Sequence, residues 1–455
     1  MKENKIINGN IPKQLLAFFF PIWFGTFFQQ MYNTVDAVVV GNYVGTEALA
    51  SVGGPAAAII NLLVGFFVGI SSGCSVVIAQ YYGARDDENA KRSVNTAISF
   101  AIASGVILMV IGIPLSPYLL KWMGTPEEIL VHSSAYLRIY FYGVIFNLIY
   151  NVGSSILRAM GDSKRPLYFL IAASVCNVVL DILFVVGFGM GVEGVAWATI
   201  ISQFLSAILV LVSLKLSYPQ FEFTLKKLSV DMKILLQMFK IGIPTGFQSI
   251  MYSLSNVIIQ SDINSFGTNV IAAWTAYGKI DAVYWMTVNS FGIAITTFTG
   301  QNFGAKKYDR VKESIKVCMI MTTVVTIILS ALTILAAPFV YRLFCADIDV
   351  IQIGIYIVKI QAPFYFAYVA VEIMSGAMRG VGDVFTPTMV TLFGICILRV
   401  LWSFIVVPQS HTLATVCFSY PFTWFVTSIM FIIYYKRGKW LKIPKEEIDN
   451  TISNS

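Results

Sequence analysis

Residues 317 to 341 contain no Asp, Glu, Lys or Arg, and neither do residues 194 to 214 or 412 to 435. About 20 such residues wound as a helix cross a hydrocarbon core about 30 Å thick. Without water in that core the backbone must satisfy its own hydrogen bonds, which leaves only helices or closed barrels. Barrel segments are about ten residues long and alternate in polarity, so runs like these exclude them. Twelve stretches read as membrane helices, roughly 14 to 38, 54 to 82, 94 to 120, 136 to 157, 167 to 188, 194 to 214, 238 to 261, 270 to 300, 316 to 341, 354 to 377, 387 to 407 and 412 to 435. A chain that is 57% hydrophobic and only 12% charged fits this all-α integral membrane class. The opening MKENKIINGNIPK has no apolar core or cleavage site of a signal peptide, so the first apolar segment is expected to be retained.

The net charge of +7 raises the question of a nucleic-acid partner. The placement of the cations answers it. With both termini cytoplasmic, the tails and the even-to-odd loops hold 25 of the 31 basic residues, including Arg85, Lys91 and Arg92 and, later, Lys306, Lys307 and Arg310. This is the positive-inside bias of a multi-pass plasma-membrane protein, and no nucleic-acid partner is expected.

The chain also repeats itself. AQYYGARDDENAKRS at 79 to 93 returns as GQNFGAKKYDRVKES at 300 to 314, and SSILRAMGDSKRP at 154 to 166 as SGAMRGVGDVFTP at 375 to 387, both 221 residues later. FQQMY at 28 to 32 pairs more loosely with FQSIMY at 247 to 252. Two homologous halves of six helices follow, and because six is even they enter the membrane in the same sense, as parallel repeats. The expected division is 1–220, a linker at 221–236, 237–440 and a cytoplasmic tail at 441–455. In each half Gly83 or Gly304 ends a helix and a basic cluster keeps the following turn inside; the motif is either a topological hinge or part of a gate.

Several patterns imitate enzyme sites. GMGVEG at 189 to 194 fits a dinucleotide fingerprint but links two membrane helices without a strand, so it reads as a turn. GISSG at 69 to 73 fits a nucleophile elbow yet lies inside an apolar helix, and the only histidines, His132 and His411, fall in outer loops. No phosphate-binding loop is present. The six cysteines are isolated, which gives neither a disulfide framework nor a structural metal site. The chain reads as a non-enzyme without a cofactor, whose cycle runs on an ion gradient.

Charges inside membrane helices are costly and are functional candidates by default. Asp181 is the only charge between Leu167 and Phe188, with Asn177 one turn before it on the same face. Asp36 follows Lys13 by a rise of about 34 Å, near the outer end of the first helix. In the second half Asn256 stands opposite Asp36 and Glu372 opposite Asn151, whereas Lys279, Asp281 and Arg399 have no charged counterparts. Those three form either an ion-pair cluster or a functional set. Lys279 and Asp281, two residues apart, cannot face one direction.

With VDAVVVG, the doubled Q-x-x-G-A, the doubled R-x-x-G-D-x-x-x-P and GVEGVAWAT, the chain resembles the multidrug and toxic compound extrusion (MATE) transporters over nearly all of residues 10 to 440. The resemblance is to the bacterial NorM- and DinF-like branches. It implies two six-helix lobes around a V-shaped cavity and export of organic cations against H+ or Na+. Asp36, Asn177, Asp181 and Thr199 then match the N-lobe cation network, and Pro21 the bend of the first helix. Gln29 and Tyr32, with their counterparts Gln248 and Tyr252, are expected to line the substrate cavity. Tyr368 and Glu372 resemble the C-lobe cation site, although Asn256 stands where that site has a carboxylate.

The leading expectation is a monomeric antiporter for amphipathic organic cations. The alternative within the same superfamily is a flippase for a lipid-linked saccharide, against which the acidic Asp36 and Asp181 argue. An intramembrane hydrolase lacks a base. A channel would close its pore from several subunits, whereas this chain holds both lobes.

Overall fold

The computed structural model describes residues 4–221, 228–345 and 347–441. Twelve helices of membrane-crossing length follow one another, and no strand occurs among the described residues. They are α1 (Ile11–Tyr43), α2 (Pro55–Gly83, after a short helix Thr46–Gly53), α3 (Asp87–Trp122), α4 (Glu127–Ala159), α5 (Lys164–Gly187) and α6 (Gly191–Ser217). The second half supplies α7 (Met232–Asn264), α8 (Thr268–Gly304), α9 (Tyr308–Phe344), α10 (Ile348–Gly380), α11 (Phe385–Ile405) and α12 (Leu413–Lys436). Most run several residues beyond the apolar stretches at both ends, because polar turns continue the helix past the hydrocarbon and are then capped. Asn10 accepts from the Lys13 amide, Asp86 from that of Asn89 and Thr412 from that of Thr415. Ten of the twelve are apolar enough to read as spans by composition; α7 and α8 are the more polar pair. The linker residues 222–227 and the tail from 442 onward lie outside the described residues.

The repeat is visible in the backbone. Helices α2 and α8 end at Gly83 and Gly304, α3 and α9 begin at Asp87 and Tyr308, and α5 and α11 begin at Lys164 and Phe385, each pair 221 residues apart. Gly161 and Gly382, likewise paired, both take φ 90°. The left-handed residue of the Q-x-x-G-A turn is not the glycine but Arg85 in the first copy (φ 59°) and Lys306 in the second (φ 60°). Gly189 and Gly191 also have positive φ, as the turn reading of GMGVEG expects.

By contacts the chain forms two compact units. The first runs to Ile250 and includes Gly304–Lys306; the second comprises Met251–Phe303 and the residues from Lys307 onward. In the first, α4 is central and packs on α2, α3 and α6, while α5 bridges α1 and α6. The first half of α7 also packs here, across GISSG. A Cβ at Gly69 would collide with the backbone of Gly246, and one at Gly73 with that of Met238 and Gly242. Paired small residues four apart let two helix backbones approach this closely where lipid gives no hydrophobic drive. In the second unit α10 packs on α9 and α12, and α11 on α12.

The outer faces are apolar. On α3, Ile107, Val110, Ile111 and Tyr118 are exposed; on α9, Ile328, Leu332, Leu335 and Phe339 are. Stripes of this size on a water-soluble surface would aggregate, whereas on a multi-pass membrane protein they meet lipid.

Candidate functional site

The first unit buries its polar groups between α1, α5 and α6. Asp181 is fully buried, at 0% exposure, and Asn177 is exposed by 1%. They share a face of α5, and directly after Asp181 the helix widens into a π turn over Ile182–Gly187. Such single π turns recur at functional positions of helices. Asp36 on α1 brings its carboxyl within electrostatic reach of that of Asp181. Apart from the contact between the two carboxyls themselves, neither Asp181 oxygen, nor Asp36 Oδ1, nor either polar atom of Asn177 has a hydrogen-bond partner among the described residues. Thr199 donates its hydroxyl proton to the Val195 carbonyl at 2.9 Å, leaving its oxygen available as an acceptor. Valines 39, 40, 185, 192 and 195 belong to the apolar cluster of this region.

Tyr32 and Tyr136 stand in the field of Asp36, and Tyr136 also in that of Asp181. Tyr32 bonds to the exposed Gln29, and Tyr140 reaches Gln203. Sequence reasoning missed Tyr136, Tyr140 and Gln203. The available signal was Tyr136 and Tyr140, one turn apart on α4 as Asn177 and Asp181 are on α5. Pro21 is buried within α1, which continues helical through it.

The second unit arranges its charges differently. The Tyr368 hydroxyl donates to Glu372 Oε2 at 3.4 Å and lies 3.1 Å from that of Tyr252. Glu372 rests against Gly292 of α8, where a Cβ would collide with its carboxylate. Gln248, one turn before Tyr252, is half-buried. Asp281 takes the Trp285 indole N–H on Oδ2 at 2.5 Å and interacts with the hydroxyls of Tyr277 and Tyr365. Those two hydroxyls are 2.9 Å apart, and the Tyr277 hydroxyl lies 2.8 Å from Gln361 Oε1.

Of the two readings of Lys279, Asp281 and Arg399, the ion-pair cluster does not form among the described residues. Lys279 is exposed, two residues from Asp281 and turned away by the helical step. Asp281 takes a neutral donor, Trp285, on Oδ2, while its Oδ1 has no hydrogen-bond partner among the described residues. Arg399, 3% exposed, lies over the Tyr420 ring at 4.0 Å and reaches Asn256 Oδ1 at 3.4 Å and Thr423 Oγ1 at 3.3 Å. Asn256 itself is exposed. A π turn occurs here too, over Leu392–Ile397 just before Arg399, but not at the position that the repeat would assign from Ile182–Gly187.

Residues 21–183 and 244–405 each match the MatE family model. The chain is 31% identical over 440 residues to the probable multidrug resistance protein YoeA of Bacillus subtilis, covering 94% of each chain. Among solved structures it is similar to a multidrug resistance MATE family transporter of the MOP superfamily in an outward-facing conformation, with TM-score 0.90 and 23% identity, over 98% of this chain and 99% of that one. Equally similar, at TM-score 0.90, 23% identity and the same coverage, is a MOP superfamily transporter from Pyrococcus furiosus described as having a binding pocket of reversed polarity.

Proposed function

The chain belongs to the MatE family, and on that footing we propose that it exports amphipathic organic cations from the cell in exchange for H+ or Na+, with Asp36 and Asp181 as the seat of the coupling ion. One observation carries the reading: the buried oxygens of Asp36, Asn177 and Asp181 find no donor among the described residues beyond the two carboxyls themselves. Two carboxylates close together in an apolar interior need positive charge, which a shared proton or a sodium ion supplies. The oxygens of Asn177 and Thr199 suit either state, as hydrogen-bond partners of the protonated acid or as ligands of the metal ion.

Exchange then follows from competition. When the site is filled by the ion, the charge that attracts an organic cation is cancelled; when the ion leaves, the attraction returns. A ligand shifts a conformational equilibrium only through its different affinity for the two states, and here ion and substrate draw on the same negative charge. Tyr32 and Tyr136 stand in the field of the carboxylates, and aromatic rings can help to hold a cation. The termini and the Arg85 and Lys306 turns face the cytoplasm in this reading, and one chain suffices for transport.

The test is efflux of a fluorescent organic cation from vesicles under an imposed H+ or Na+ gradient. Wild-type protein should drive efflux with at least one of the two. Transport of anionic dyes at the rate of cationic ones would overturn the substrate class. Movement of a lipid-linked saccharide without dye efflux would favour the flippase.

A further inference from the structure

Buried polar groups without a hydrogen-bond partner among the described residues occur in both units, and on α11 and α12 they include two nitrogen donors. Arg399 Nε has no acceptor, and neither has the indole Nε1 of Trp424, although these residues are 3% and 1% exposed. Arginine stays charged in any protein environment. A charge buried without a counter-charge carries a desolvation cost of several kcal/mol.

Asp281 shares the field of Tyr420 with Arg399, and Glu372 that of Tyr252, but neither carboxylate touches the guanidinium. The two hydrogen bonds of Arg399 are long and go to neutral oxygens, those of Asn256 and Thr423. The Thr423 proton is already directed to the carbonyls of Ser419 and Tyr420, so that hydroxyl serves the guanidinium only as an acceptor. The Tyr420 ring covers one face of the guanidinium, which offsets part of the burial cost but supplies no negative charge. No carboxylate pairs with it among the described residues. Asp281 accepts from Trp285 on Oδ2, its Oδ1 having no hydrogen-bond partner among those residues, and Glu372 accepts from Tyr368; neither forms an ion pair with Arg399. Asn256 points its carbonyl at Arg399 and leaves its amide N–H2 as a further donor.

We propose that Arg399, with Asn256 beside it, binds a small monovalent anion: a halide, or the carboxylate of a transported molecule. A carboxylate would engage the guanidinium through its open Nε edge. The proposal rests on the burial of Arg399, its open Nε and the lack of a contacting carboxylate, and is independent of the ion-coupling reading of the first unit.

The purified full-length protein, in nanodiscs and sulfate buffer free of halide and carboxylate, is titrated with chloride or with acetate at constant ionic strength. Thermal unfolding and tryptophan fluorescence are followed, since Trp424 and Trp402 flank the site. A saturable rise in unfolding temperature is expected, because a ligand bound only by the folded state stabilises it. Response to chloride identifies a halide site, and response to acetate alone identifies a carboxylate site. Arg399→Gln should weaken the binding at least tenfold. Asn256→Asp, which tethers a carboxylate within reach of the guanidinium, should remove the anion dependence while leaving the protein as stable as the anion-saturated wild type. The proposal is overturned if neither anion has an effect, if Arg399→Gln binds as tightly as wild type, or if Asn256→Asp keeps the full response.

Discussion

Arg85 and Lys306 occupy the same place in the two repeats and hold the same left-handed backbone, with φ 59° and 60°; no other non-glycine residue among those described has a positive φ. A side chain in that region costs roughly 1–2 kcal/mol. The retention of a cation at both turns fits a topological duty that outweighs the strain. Arg85→Gly and Lys306→Gly should therefore each raise thermal stability, by about 1 kcal/mol, while Arg85→Val lowers it. A fall in unfolding temperature for both glycine variants would show that the cations contribute more to the fold than their backbone strain removes.

If those turns are cytoplasmic, Glu88→Cys beside the first should be modified only from the inner side, and Ser410→Cys only from the outer side. Both positions are exposed. A background with Cys176 and Cys345 replaced by Ser removes the partly accessible native thiols. Labelling in the reverse sense would invert the proposed orientation.

Asp181→Asn should lose gradient-driven efflux yet still bind substrate measurably, because one carboxylate of the pair remains. Asp36→Asn should abolish export from a protein that still inserts. Full gradient-driven efflux by the double variant would move coupling out of the first unit, most directly to Glu372.

Gly292 is fitted to the Glu372 carboxylate. Gly292→Ala should cost about 1–3 kcal/mol through overpacking, and much of that loss should vanish when Glu372→Ala is added, since residues in contact are not additive. Additive losses, measured by thermal unfolding, would mean that the glycine serves the helix crossing alone.

The helical plan was legible because hydrocarbon imposes it: charge-free runs announce themselves, and the 221-residue offset carries helix ends such as Gly83 and Gly304 with it. Asp181 stood out for the same reason, as the lone charge of an apolar run. The surroundings of Asp281 were not legible. Its partner Tyr365 lies 84 residues away on another helix, and spacing along one helix says nothing about which aromatic hydroxyl arrives from a neighbour. The same limit left open whether Lys279, Asp281 and Arg399 pair; they share a depth but not a direction. In the sequence GISSG offers only the outline of a nucleophile elbow inside an apolar helix, and its packing use became clear only beside Gly242 and Gly246. That second pair, also four apart, was the overlooked signal.

The crossing of Gly69 and Gly73 with Gly242 and Gly246 constrains the order of events on the ribosome. The first six helices are complete at Ser217, but the groove that the two earlier glycines leave open in α2 stays unfilled until α7 has been synthesised and inserted. Translation of one ancestral repeat is thus not enough to finish the first compact unit. A chain severed between Ser217 and Met232 should yield an amino-terminal fragment that is degraded when made alone and persists when its carboxy-terminal complement is co-expressed.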